Sequence, residues 1–395
     1  MKLYLAKLVT AALSNEDVHK GIGWALVAVL SPLILILAAL CAVATGGAEH
    51  NNNTVNACFY GTEYSEDIPR EYQNHISEMQ EAFRLLDSGV SNANSQMENG
   101  DSLDPMRVKA VFFALCFGED APSRRAADKF VDCFFDTEDA VREVETKDED
   151  GKTTTTEETY TLARPVPIET AYANISRLLG REISEDDRDN ISHIYTMVAG
   201  SMGTDTYDGA YTVSGARSTE LDISGFTDPG TKNAHDLVLY AKQAWASGWG
   251  YVWGTFGHVL TEAQLQSKLA QYPESLESSA DFIRTNWLGG RTTDCVGLIK
   301  GYGWLNPETL SIDYGTNGMP DYGANQMYYS AADSGTIDTI PDIPGLAVWK
   351  DGHIGVYIGN GEVIEAMGTH YGVVKTQLQG RGWTHWLKIA FINYD

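Results

Sequence analysis

Thr292-Thr-Asp-Cys295-Val-Gly-Leu-Ile-Lys-Gly-Tyr302 and, further along, Gly352-His353-Ile-Gly-Val-Tyr-Ile-Gly-Asn360-Gly-Glu-Val-Ile-Glu365-Ala366 are the two stretches from which the fold can be read. In the first, Thr292, Thr293 and Asp294 are helix-capping types, and Val296, Leu298, Ile299 and Tyr302 suit one buried helical face. Cys295 therefore belongs in a first helical turn, where unpaired backbone N–H groups and the helix dipole are expected to favour a thiolate. The second stretch reads as a strand pair. Ile354, Val356 and Ile358 alternate with His353, Gly355 and Tyr357, so one strand face is apolar and the other carries the histidine. A two-residue loop at Asn360-Gly361 pairs Val356 with Glu365 and puts the carboxylate on the apolar face. A three-residue loop over 359–361 instead pairs Gly355 with Glu365, making His353 and Glu365 diagonal neighbours on one face. The second register also sets Ile364 beside Val356, and the hydrophobic pattern favours it. Gly355 then leaves space for another group, such as the thiol, to approach. These residues are the material for a nucleophile, Cys295, a base, His353, and an orienting carboxylate, Glu365. The bland alternatives are a disulfide or inert buried thiol and a structural histidine.

Upstream lies Gly248-Trp-Gly-Tyr251-Val-Trp253-Gly254, and between the two opening stretches lies Pro344-Gly-Leu-Ala-Val-Trp349. In content and order, these four motifs resemble the NlpC family of cell-wall cysteine peptidases over roughly residues 233–395. The resemblance implies a papain-like α+β domain in which a cysteine opens a helix packed on a small antiparallel sheet bearing the histidine. It implies cleavage of peptidoglycan stem peptides, commonly between D-glutamate and a diamino acid, through a thioester acyl-enzyme and without cofactor or metal. Carried over, Cys295 is the nucleophile, His353 the general base and Glu365 the third polar residue. Tyr251 and Asp294 match positions beside the thiol that contact substrate or oxyanion. The chain departs from the family in three places. Glu365 stands where histidine, asparagine or glutamine is usual, Val296 where a small hydroxyl residue is, and the gap from Tyr251 to Cys295 is long. The extra segment, about 257–290, contains a helix-like run from Thr261 to Gln271 and reads as a lid over the cleft or a surface elaboration. His370 and His385 lack compact ligand spacing. Within the same enzyme class, an amidase cutting between muramic acid and L-alanine is the alternative. Outside it, the alternative is an inactive cell-wall binding or scaffold protein.

The chain's start bears on location. No charged residue occurs from Gly21 to Ala48, an apolar run long enough for the roughly 20 residues that span a bilayer. Lys2, Lys7 and Lys20 precede it and no Lys or Arg follows until Arg70, so residues 1–20 are expected in the cytoplasm and the rest outside. Residues 21–48 read as a single-pass membrane anchor, with a cleavable signal peptide as the rival. With 28 basic against 54 acidic residues and a formal net charge of -26, nucleic acid is an improbable partner. Of the four cysteines beyond Cys41, Cys116 and Cys133 are expected to pair, leaving Cys295 free and Cys58 unexplained.

Residues 49–200 read as a mostly helical extracytoplasmic domain. Helices are expected over 72–86, 106–117, 124–135, 168–179 and 185–199, with a hairpin whose acidic tip, 148–151, fails the calcium-loop spacing. Glu119 invites comparison with a glycosidase acid, but no second carboxylate is placed for it. Residues 201–232, rich in Gly, Ser, Thr and Asp, read as a linker to the peptidase-like domain 233–395. Eight of the nine tryptophans follow it, and Trp249, Trp383 and Trp386 are candidates for stacking at a cleft rim. An anchored layout of this kind resembles wall hydrolases of conjugative mobile elements, with other parts of a transfer apparatus as possible partners.

Overall fold

The computed structural model describes residues 48–63, 69–147, 153–200, 207 and 209–394. The expected anchor 21–48 and cytoplasmic segment 1–20 lie outside the described residues, apart from Ala48, as does the hairpin tip. Among the described residues, no helix is long and apolar enough to cross a membrane.

The fold is α+β. Its first part is helical: α1 (Ala48–Tyr60), α2 (Arg70–Asn94), α3 (Pro105–Cys116), α4 (Arg124–Val131), α5 (Ile168–Leu179) and α6 (Glu185–Ala199), with a hairpin of β1 (Phe135–Lys147) and β2 (Thr153–Pro165) between α4 and α5. Each helix follows from local chemistry. In α2, Ile76, Met79, Phe83, Leu86 and Val90 recur at helical spacing and are buried. Asp104 caps α3 by accepting from the Met106 N–H, with Pro105 in the first turn. Ser184 and Asp187 form a capping box at the start of α6. Helix α3 is buried along its whole length, Arg107 and Lys109 included, so it is the axis of this part. The expected Cys116–Cys133 disulfide is absent and both thiols are free. Cys133 Sγ instead donates to Lys129 O one turn back, at 3.4 Å.

The C-terminal part is built on a seven-stranded sheet in the order β3-β11-β10-β9-β8-β12-β7, antiparallel throughout. Its centre is a meander of β8 (Ala347–Lys350), β9 (His353–Gly359), β10 (Glu362–Gly368) and β11 (Gly372–Gln377). The edges are β7 (Ser334–Thr336), joined through β12 (His385–Leu387), and β3 (Tyr211–Thr212). Because β3 lies within the stretch expected to be a linker, part of 201–232 belongs to the sheet. A second, three-stranded sheet has β6 (Arg291–Thr293) between β4 (Gly250–Tyr251) and β5 (Phe256–Val259). Around it lie α7 (Ala234–Ala246), α8 (Glu262–Gln271), α9 (Pro273–Leu276), α10 (Ala280–Asn286), α11 (Gly297–Trp304) and α12 (Ala324–Tyr329). One apolar core runs without a break from the helical part into this one.

The β9–β10 hairpin combines features of both anticipated geometries. Gly359 pairs with Glu362 across a two-residue turn, but Tyr357 then pairs with Val363 and Val356 with Ile364, a shift of one residue at a bulge. Asn360 and Gly361 have φ of 55° and 73°, the left-handed pair that a tight hairpin turn demands. The extra residue that sends Glu365 to the histidine face is thus absorbed in the strand and not in the loop. Hydrophobic burial explains the outcome: Val356 and Ile364 are both fully buried in the main core.

Replacement of Gly361 isolates the backbone cost of this turn, since no atom lies within 4 Å of the position a Cβ would take. Gly361→Val is expected to lower stability by about 1–2 kcal/mol, read as a fall in the urea midpoint.

Candidate functional site

Two glycines set the helix that follows the thiol. A Cβ on Gly297 would lie 2.1 Å from Thr255 O, and one on Gly301 would lie 2.3 Å from Phe256 O. Only glycine lets α11 settle this closely on β5. Asp294 ties the same corner together: its Oδ1 accepts from Gly297 N–H at 2.6 Å and its Oδ2 from Gly254 N–H at 2.9 Å. Asp294 therefore joins the Gly-rich upstream motif to the start of α11. Burial, its largest influence, holds its carboxyl above the usual range. Tyr251, opposite Thr293 in the parallel β4–β6 pairing, is 1 % exposed.

Cys295, expected in a first helical turn, lies instead in the turn just before α11, which begins at Gly297, and the backbone N–H groups of Val296 and Ile354 face its sulfur. Ile354 follows His353, so the thiol lies against the first residues of β9. Their placement is fixed from behind by Asn325 on α12, whose Oδ1 accepts from Gly352 N–H at 2.7 Å and from the Trp349 indole at 3.1 Å. His353 Nε2 lies 2.6 Å from Glu365 Oε2. The carboxylate is fully buried, yet its pKa is pulled down to about 2. Burial alone would raise it, but the hydrogen bond of His353, joined by its charge whenever the ring is protonated, and the charge and bonds of Arg381 outweigh that. An ionised carboxylate only accepts, so Nε2 carries the hydrogen and Nδ1 is left as the nitrogen able to take a proton.

The sequence reading missed Arg381 and Thr376. Arg381 grips Glu365 with a fork, Nε to Oε1 at 2.9 Å and Nη2 to Oε2 at 2.9 Å, and Thr376 donates to Oε1 at 2.8 Å. The available signal was Glu365 itself: a buried carboxylate needs a cation, and Arg381 lies sixteen residues on. Two other expectations are corrected. The space beside Gly355 is taken first by Val363, Glu365 and Trp383, at 2.9, 3.2 and 3.3 Å from where a Gly355 Cβ would lie, and the thiol is not among these nearest groups. Trp383 stacks on the His353 ring, centroids 5.4 Å apart and planes 9° from parallel. It and Trp249 are buried, so neither is a rim residue. Trp386, half-buried, donates to Thr339 Oγ1.

The thiol is covered. Cys295 is 2 % exposed, and beside it lies a cavity of about 60 Å³, room for a few waters but not for a peptide. The walls include Leu103, Asp104 and Met106 of the helical part, Tyr272 at the end of α8 in the 257–290 segment, Lys300 on α11, and Asp321 ahead of α12. A polar clasp joins them. The Trp253 indole donates to Tyr195 Oη at 2.9 Å, Tyr195 donates to Asp104, and the Arg107 guanidinium lies 3.8 Å over the Tyr195 ring while pairing with Glu274. The 257–290 segment thus forms part of a roof shared with the helical part. Under this cover the expected thiolate is overturned: burial first, then the Asp294 charge, pushes the Cys295 pKa up to about 12, against the two backbone N–H groups and Lys300. Desolvation outweighs the helix terminus here.

Comparison with protein-family models, curated proteins and solved structures produced no match for this chain.

Two measurements check this geometry. Iodoacetamide should label Cys295 in the native full chain on the order of a thousandfold more slowly than a free cysteine at neutral pH, the rate rising with pH, as followed by peptide mass spectrometry. Asp294→Ala should cost about 1–3 kcal/mol in thermal or urea unfolding, because two buried N–H groups lose their acceptor.

Proposed function

We propose that residues 233–395 are a papain-like cysteine peptidase acting on peptidoglycan stem peptides, with Cys295, His353 and Glu365 as its triad. The observation that carries the reading is the ordered chain of contacts: a cysteine in the turn just before α11 that faces the N–H next to His353, and a His353 ring whose far nitrogen is fixed by an ionised carboxylate. The substrate class comes from the resemblance of the four motifs to the NlpC family, and a cut between D-glutamate and a diamino acid is the expected bond.

In the reaction, His353 Nδ1 takes the thiol proton as Cys295 Sγ attacks the peptide carbonyl carbon. The carbonyl oxygen gains the negative charge and is stabilised by backbone N–H groups at the start of α11, where oriented dipoles need no rearrangement. Collapse breaks the C–N bond, the imidazolium returns its proton to the leaving amine, and a thioester remains. Water, deprotonated by His353, then releases the acid and restores the thiol. Glu365 holds the imidazole tautomer throughout without taking the proton.

With Cys295 2 % exposed and the cavity beside it too small for a peptide, the described arrangement is a closed one, and a cavity wall that includes Leu103, Asp104 and Met106 has to move for substrate to enter. The buried thiol is also the observation that favours the rival reading, an inactive scaffold. An uncleaved anchor at 21–48 would hold the enzyme on the outer face of the membrane, against the wall, as in wall hydrolases that serve a conjugative transfer apparatus.

Digestion of purified muropeptides by the full chain, with products identified by mass spectrometry, tests the proposal. A D-glutamyl cut that disappears in Cys295→Ala and falls by about a thousandfold or more in His353→Ala is expected. A released lactyl-amide end would instead assign the amidase, and intact muropeptides with wild type would assign the scaffold.

A further inference from the structure

We propose that Arg381 is a positioning residue of this site, neutralising Glu365 so that the carboxylate orients His353 without locking it as imidazolium. The inference rests on reading Cys295 and His353 as the reacting pair. It arises from the position where the chain departs from the family it resembles, with a charged residue in place of a neutral one.

A neutral amide or imidazole can accept or donate one hydrogen bond to the histidine and leave its proton affinity little changed. A bare carboxylate at 2.6 Å in a buried site is different. Its attraction for a positive ring is strong where water is excluded, and a ring held positive cannot take the thiol proton. The structure supplies the remedy in place. Arg381 is 6 % exposed and Glu365 fully buried, so their paired charges form a formally neutral unit inside the protein. The fork engages both carboxylate oxygens while Thr376 fills a remaining acceptor position, leaving Oε2 aligned on His353 Nε2. The guanidinium is itself held in place, 4.8 Å over the Tyr207 ring and 5.7 Å from that of Trp383, which stacks on His353. Arg381 and Trp383 therefore fix the acceptor and the ring plane together.

The charged and titratable groups around His353 come from several elements. Glu365 is on β10, Arg381 on the segment after β11, and Lys350 is the strand partner of His353 on β8. Cys295 lies against Ile354 from the start of α11, with Asp294 and Lys300 beyond it. Among them, Arg381 is the cation bonded to Glu365, so its removal leaves His353 as the carboxylate's charged hydrogen-bond partner.

The test is a pH titration of His353 by NMR in the full chain carrying Cys295→Ala, the His353 signal being assigned by its loss in His353→Gln. Arg381→Met is expected to raise the His353 midpoint by about one pH unit or more, as an uncompensated neighbouring carboxylate should. Adding Glu365→Gln to Arg381→Met should return it to the parent value, because both charges are then gone. With Cys295 restored, the acid limb of kcat/KM on muropeptides should move upward with the midpoint in Arg381→Met. An unmoved midpoint in Arg381→Met overturns the proposal. Should that variant fail to fold, the double variant decides: a midpoint at the parent value supports the role and one displaced by about a unit overturns it. If wild type releases no muropeptide product, the peptidase reading fails, while the NMR midpoints still decide whether Arg381 neutralises Glu365.

Discussion

The site depends on one fully buried carboxylate. Glu365 is bonded by His353, Thr376 and Arg381, and each of these demands something of the fold. His353 and Glu365 share a face only because a bulge shifts the β9–β10 register by one residue. Thr376 reaches it because β11 follows β10 in the meander, and Arg381 because the chain turns back over the sheet after β11. Gly355 is needed as well, since a Cβ there would meet Val363 at 2.9 Å and Glu365 itself at 3.2 Å. A charge placed this deeply is costly unless every partner is present, so the hairpin, its neighbour strand and the returning segment are bound to one arrangement. Its contribution to stability has a definite sign. With its pKa lowered from 4.5 to about 2 on folding, Glu365 stabilises the folded state above the unfolded value, and that support is lost as pH falls through about 2.

A second constraint acts on the thiol. Close packing through Gly297 and Gly301, and the two backbone bonds to Asp294, bring the first turn of α11 up to the start of β9. The roof formed by the helical part and Tyr272 also removes the thiol from water. The two effects oppose each other. Backbone N–H groups favour the thiolate, burial and Asp294 disfavour it, and in the closed arrangement burial is the larger. Access of water to Cys295 is therefore tied to how the helical part and the C-terminal part of the chain are seated.

Much of the architecture was legible because local signals agreed with one another. Helices α5 and α6 begin and end where periodicity, the Ser184 cap and the glycines after each helix put them. The expected 72–86 helix is longer at both ends, α2 running from Arg70 to Asn94, because apolar spacing continues through Val90. The shared face of His353 and Glu365 was also readable from strand alternation, and the capping residues announced a helix beside Cys295, which begins two residues later than expected, at Gly297. Less was readable where distant segments meet. Arg381 and Asn325 carry no local pattern that marks them as partners of the site. Tyr211–Thr212 is too short and polar to be recognised as an edge strand, and it becomes one because β11 offers unpaired backbone groups beside it.

The sequence by itself determined the helices with clear caps and periodicity, such as α5 and α6, and, through the need to bury Val356 and Ile364 together, which register the β9–β10 hairpin adopts. Tertiary structure alone decided how that register is achieved, with a tight turn and a bulge, and which cation balances Glu365. It also decided that the thiol is enclosed. The reason is physical: propensity and periodicity act over a few neighbouring residues, whereas charge compensation and desolvation depend on which remote groups are brought within a few ångströms of one another.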